Sequence, residues 1–150
     1  MGFVDVISVS AAIRDALLTP DPSTTIMATR KVARDWRLGR LEHCFDAKMP
    51  DRPARPGAPQ LLPPSQMPKR GKAGSAAKRI ALIHALAHIE YSAIDLALDM
   101  AGRFGPGQLR VFVDDWLSVA ADEALHFALL DRRLKSLGSH YGAFPAHDGL

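Results

Sequence analysis

The sequence predicts an all-α protein, and three observations carry that expectation. Two long runs, from Ser75 to about Arg103 and from about Gln108 to Leu137, place apolar residues at helical spacing. The link between them, Gly105-Pro106-Gly107, is too short for anything but an antiparallel hairpin. No segment alternates apolar and polar residues convincingly enough to predict a strand, and no internal repeat is present.

The elements follow in chain order. Residues 8–42 read as N-terminal helices. Ser8 to Leu18 forms the first, with Ser8 or Ser10 as N-cap and Pro20 ending it. Asp21-Pro22-Ser23 opens the second, which extends to about Glu42 with Ile26, Val32, Ala33, Trp36 and Leu41 on a partial apolar face. Residues 49–74 read as an extended proline-rich belt: seven of the twenty residues from Met49 to Pro68 are proline, which removes amide donors and forbids a regular helix or central strand. Leu61-Leu62 would pin that belt to the surface. Residues 75–137 form the core hairpin, with Ser75 as N-cap of its first helix, Gly102 near its end, and Gly138 stopping the second. Residues 138–150 form a tail, and the whole chain suits one domain.

Bulk properties narrow the class. A composition of 47% hydrophobic and 23% charged residues argues against general disorder. Charges interrupt every apolar run, so no membrane span is expected. The start, Met1-Gly2-Phe3-Val4-Asp5, lacks the basic n-region of a secretory signal, and the single cysteine, Cys44, suits a reducing compartment; the expectation is cytoplasmic. Between Arg30 and Arg79 thirteen Lys/Arg face four Asp/Glu, but no aromatic residues interleave the Lys69-Arg70-Gly71-Lys72 cluster. A solvated surface and charged linker are expected there rather than a nucleic-acid platform.

The residues with the most chemistry are Glu123 and His126. At ~100° per residue, Phe112, Trp116, Val119, Ala120, Phe127, Leu130, Leu134 and Leu137 share one face, and Glu123 lies near its middle. A carboxylate there needs a partner, either a metal or, more plainly, an arginine or another polar core group. His126, at i+3, offers an imidazole to the same point, and this Glu-x-x-His unit is the half-site that di-iron and di-manganese carboxylate bundles repeat on two helices. On the preceding helix, Leu82, Leu86, Ile89, Ala93 and Met100 mark the expected buried stripe, with Glu90 on its flank. Glu90 and Glu123 lie at similar heights from the connector, and two facing carboxylates with one imidazole suit iron or manganese. His84 and His88, at i and i+4 beside Asp95 and Asp99, point away from the stripe; a solvated position or hydrogen bonding between elements is expected of them rather than a separate zinc site, with an outer role around the metal as a further expectation. No nucleophile pair or phosphate-binding loop is present: His43 and Cys44 are adjacent and point apart, and Gly71-Lys72-Ala73-Gly74-Ser75 lacks P-loop spacing.

Longer motifs then become recognisable. The runs His-Ala-Leu-Ala-His-Ile-Glu-Tyr-x-Ala-Ile-Asp-Leu-Ala-Leu-Asp, Phe-Val-Asp-Asp-Trp-Leu-x-Val-Ala-x-Asp-Glu-Ala-x-His-Phe and Leu-Gly-x-x-Tyr-Gly-x-x-Pro-Ala-His-Asp-Gly-Leu resemble an uncharacterised bacterial ferritin-like family. So do Met-Pro-Lys-Arg-Gly and the early Ala-Leu-Leu-x-x-Asp-Pro-Ser, and the likeness covers essentially all 150 residues. The resemblance implies a ferritin-like helical bundle with Glu90, Glu123 and His126 as metal ligands, and a distant similarity to tRNA-modifying di-iron hydroxylases. Members of the family continue beyond Leu150 with two further helices carrying the other half-site, so this chain is expected to be an N-terminal portion, or to form a homodimer that completes a four-helix bundle. The expected function is an iron or manganese carboxylate site with redox or oxygen chemistry in its complete form; the alternatives are a non-catalytic helical interaction module and a tRNA-modifying, hydroxylase-like protein.

Overall fold

The computed structural model describes residues 6–67 and 74–148; Pro68 and the Lys69-Arg70-Gly71-Lys72 cluster lie outside the described residues, as do the N-terminal five residues and the last two. Four helices dominate: α1 (Val9–Leu17), α2 (Pro22–Arg37), α3 (Ala76–Phe104) and α4 (Arg110–Ser136). Two pairs of two-residue strands fasten the loops. β1 (Ile7–Ser8) runs parallel to β2 (Leu41–Glu42), and β3 (Leu61–Leu62) runs parallel to β4 (Ala146–His147). The all-α expectation therefore holds, with these short pairings added.

Local chemistry sets the helix limits. Ser8 Oγ accepts from the Ala11 amide, Asp21 from Thr24 and Ser75 from Lys78, so three helices begin on side-chain caps. Asp21 is held below the usual carboxylate range by the Thr24 amide. α2 stops at Arg37 rather than near Glu42, because Gly39 adopts φ +74° and turns the chain into β2. Gly102 does not end α3. It is buried under Met49 and Ile13, where a Cβ would collide with the Met49 sulfur, and the helix continues to Phe104. Gly138, at φ +82°, follows the end of α4. The described part of the belt contains only β3 and a single 3₁₀ turn, Pro64–Gln66, as its prolines require.

α3 and α4 make the most extensive contact in the molecule, and α1 and α2 pack on one side of that hairpin. The core lies between them: Val9, Ile13 and Leu17 from α1, Ile26, Val32 and Trp36 from α2, Tyr91, Ile94 and Leu98 from α3, and Val113, Leu117 and Phe127 from α4. Both stripe expectations need correction here. On α3 the buried face carries His84, Ala87, His88, Tyr91, Ile94, Asp95 and Leu98, while Leu82, Leu86 and Ile89 are exposed. On α4 the buried face is Val113, Leu117, Ala120, Ala124, Phe127 and Leu134, and Glu123 sits at its edge rather than its middle. Each helix is apolar on more than one side, so periodicity alone did not say which side meets α1 and α2. α3 is also long and apolar enough by length and composition to cross a membrane, which corrects the expectation that charges interrupt every such run; Glu90 and Asp95 are too few to do so. In this fold α3 packs on α1 and α4.

Candidate metal centre

The side of the hairpin not covered by α1 and α2 carries the three sequence-predicted ligands together. Glu90 comes from α3, and Glu123 and His126 project from one side of α4 by virtue of their i, i+3 spacing. Nδ1 of His126 lies 3.4 Å from Glu123 Oε2 and 3.6 Å from Glu90 Oε2. One ligand atom from each residue falls within 4.8 Å of both others. The glutamate side chains are about one quarter exposed (26% and 23%) and His126 is half exposed (51%), so the cluster opens onto the surface.

Among the described residues no arginine or lysine forms an ion pair with either glutamate; the only basic group within reach is His126. Among the described residues the polar partner of Glu123 is therefore His126 rather than an arginine. Two carboxylates held this close repel unless positive charge lies between them. The donor set of two carboxylates and an imidazole is that of a hard or borderline divalent ion. Bonds of ~2.1 Å set neighbouring ligand atoms ~3 Å apart, so the 3.4 and 3.6 Å separations fit one ion after small side-chain rotations. The same two helices carry exposed apolar residues, Leu82, Leu86, Ile89 and Leu96 on α3 and Val119 on α4, with Trp116 and Leu130 half buried.

His84 and His88 lie on the opposite, buried side of α3 and hold the tail. His84 Nε2 accepts the Gly142 amide at 3.0 Å, and burial lowers its pKa. His88 contacts the Tyr141 hydroxyl through Nδ1 and the His147 carbonyl through Nε2, both at 2.8 Å, and burial pulls its pKa down to about 4. The expected inter-element hydrogen bonding is present, and both rings are fully enclosed rather than solvated. Asp95 shares this side. Arg55 of the belt meets it as an ion pair at 3.0 Å, off the hydrogen-bonding axis, and lies 5.0 Å from the centre of the Tyr91 ring. Burial raises the Asp95 carboxyl to about 7 despite Arg55. Asp99 instead pairs with Arg103 at the surface.

Sequence reasoning did not find the Arg55–Asp95 pair or the role of Tyr141. The shared side of His84, His88 and Asp95, at i, i+4 and i+11, was the available signal. Their partners lie 40 residues upstream and about 50 downstream, in segments without periodicity.

An uncharacterised protein of Haemophilus influenzae (strain ATCC 51907 / DSM 11121 / KW20 / Rd) is 47% identical over 103 residues, covering 65% of this chain and 35% of the relative. The chain thus spans about a third of the length of the curated relative it matches. No solved structure matches. A family profile described as "Protein of unknown function (DUF455)" matches residues 18–150, which include both hairpin helices and all three clustered ligands, and the chain belongs to that family.

Proposed function

We propose that this protein is a ferritin-like metal-binding domain in which Glu90, Glu123 and His126 hold iron or manganese. The observation that carries the reading is the convergence of two carboxylates and one imidazole on the uncovered side of the hairpin, without a lysine or arginine to neutralise them. A bound iron or manganese ion supplies one-electron redox chemistry and a place for oxygen to bind. The protein's own residues would fix its position, because the helices that carry them, α3 and α4, are packed together along the hairpin. Three protein ligands are half of what a two-metal carboxylate bundle uses. The exposed leucine stripe is the surface on which a second helical pair would bring the rest. For this chain by itself that pair is a second copy.

Anaerobic titration with Fe(II) and Mn(II), followed by mass-spectrometric metal analysis and light scattering, tests both parts. The reading expects saturable binding, lost in Glu123→Ala, and dimer formation strengthened by metal. Absence of binding in wild type overturns it. A dimer that forms equally well without metal favours the alternative of a helical interaction module, for which the same leucine stripe is the supporting observation.

A further inference from the structure

A cleft of about 550 Å³ opens between α3 and the belt. Its size falls within the ~300–1,000 Å³ of small-molecule sites. Glu90, Glu123 and His126 do not line it, so a ligand there owes nothing to the metal-binding reading.

Local chemistry builds the walls. Pro50 and Pro53 stiffen the belt on one side, Ile89, Ala93 and Leu96 of α3 form the other, and Leu17 joins them from the end of α1. The belt is tied down along this stretch. The Pro50 carbonyl accepts from Arg103 Nη2 at 2.8 Å, and the Ala54 amide donates to the Leu17 carbonyl at 2.8 Å. The cleft is therefore preformed.

Two observations define what it takes. The first is charge balance. Arg52 pairs with Asp148 at 2.6 Å, Arg55 with Asp95 at 3.0 Å and Arg103 with Asp99 at 2.9 Å. The remaining acid, Asp51, is exposed and lies within the field of Arg103. Matched pairs leave little net field to recruit an ion of either sign. The second is a pair of unused groups. Arg55 Nη1 and Asp95 Oδ2 are buried and make no hydrogen bond among the described residues. Arg55 Nη2 meets Asp95 off the hydrogen-bonding axis and reaches Ser92 Oγ only at 3.5 Å. An enclosed donor beside an enclosed acceptor, both unused, is costly and rare. Both residues line the cleft.

We propose that this cleft binds a small neutral molecule carrying an amide-type group, such as a carboxamide, lactam or ureide, on an apolar body. The carbonyl oxygen accepts from Arg55 Nη1 and the N–H donates to Asp95 Oδ2, after the side-chain rotations that commonly accompany binding. The apolar body lies between the prolines and the α3 wall, where it covers Ile89 and Leu96, 41% and 60% exposed without it. An anion in the same place would sit against Asp95 with no donor for it. A cation would face Arg55. A neutral amide serves both groups.

Benzamide, benzoate and benzylamine share size and shape and differ only in that group. Each is titrated into the 150-residue protein at pH 8, above the Asp95 carboxyl at about 7, and followed by backbone amide chemical shifts. Benzamide should bind about tenfold more tightly than either ion, the worth of one hydrogen bond, and should move the amides of Arg52, Ala93 and Leu96. Light scattering alongside ensures that a change of assembly through Ile89 and Leu96 is not read as binding. Ala93→Trp fills the cleft from the α3 wall and should abolish binding. Arg55→Met/Asp95→Leu removes both charges together, so neither is left buried alone, and should weaken benzamide about tenfold. Circular dichroism establishes that each variant is folded, and the three-ligand comparison needs no variant. Benzoate or benzylamine binding as tightly as benzamide, shifts confined to another surface, or benzamide affinity unchanged in either variant overturns the proposal. Absence of benzamide binding overturns it as well, since the cleft then holds water only.

Discussion

The two sides of α3 treat ionisable groups in opposite ways. On the buried side His84, His88 and Asp95 are enclosed, and each is matched by a group from a distant segment: Gly142, Tyr141 with His147, and Arg55. On the open side Glu90 stands about one quarter exposed, facing Glu123 and His126, with no lysine or arginine paired to it among the described residues. Polar groups in the first setting are structural elements, because the fold must satisfy them to exist. Those in the second are held close together at little cost in burial and await something from outside. The difference teaches that burial and perturbed ionisation do not by themselves mark the metal site of this protein. Under the proposed metal-binding reading, the mutual approach of unneutralised acids does.

Substitutions on the two sides should separate accordingly. The largest effect is expected for Arg55→Ala, which leaves Asp95 buried without its counter-charge and should cost roughly 3 kcal/mol, read by urea denaturation at neutral pH; a loss under about 0.5 kcal/mol, the size of an ordinary surface change, would mean the pair is dispensable.

His88 gives a pH-dependent test of the same side. Its folded pKa, about 4, lies below the ordinary 6.5, so below that ordinary value the unfolded chain binds a proton that the folded chain refuses. Stability from this site is therefore complete above about 6.5 and is lost as pH falls towards 4. Relative to His88→Gln, which cannot titrate, wild type should lose about 2 kcal/mol between pH 7 and pH 5. Parallel stability curves for the two proteins would show that His88 is not held neutral. Asp95 shifts in the opposite sense and is common to both proteins, so it cancels in the difference.

On the open side Glu123→Ala should change metal-free stability by less than about 1 kcal/mol, because it removes one of two repelling carboxylates, while metal binding disappears. A destabilisation comparable to that of Arg55→Ala would make Glu123 a structural residue after all. The smallest effect is expected for Leu96→Lys, on the exposed stripe: within about 0.5 kcal/mol on monomer stability, with a measurable shift of any dimer towards monomer in light scattering.

Much of this was legible in the sequence, and the failures share one cause. Ser8, Asp21 and Ser75 mark helix starts through their own side-chain bonds, and Gly105-Pro106-Gly107 dictates a hairpin, so those features depend on neighbours in the chain. Glu90, Glu123 and His126 could be brought together from spacing and helix height alone. The facing of α3 could not. Leu82, Leu86 and Ile89 make as good an apolar stripe as Ala87, Tyr91, Ile94 and Leu98, and the choice between them is made by α1, α2 and the tail. The same holds for Arg55 and Tyr141, whose neighbours in sequence say nothing of Asp95 or His88.

The short β3–β4 pairing has a kinetic consequence. Leu61 lies beside Ala146, 85 positions further along the chain, with the Ala146 amide on the Gln60 carbonyl and the Asp148 amide on that of Leu62. Contacts of such wide separation close after local ones, because the intervening chain must be ordered first. The α3–α4 hairpin, joined by its tight Gly-Pro-Gly link, needs no such wait. During folding Glu90, Glu123 and His126 should therefore meet before the tail buckles onto the belt and encloses His84 and His88. A cation present at that stage would find its three ligands already gathered on a protein whose other side is still open.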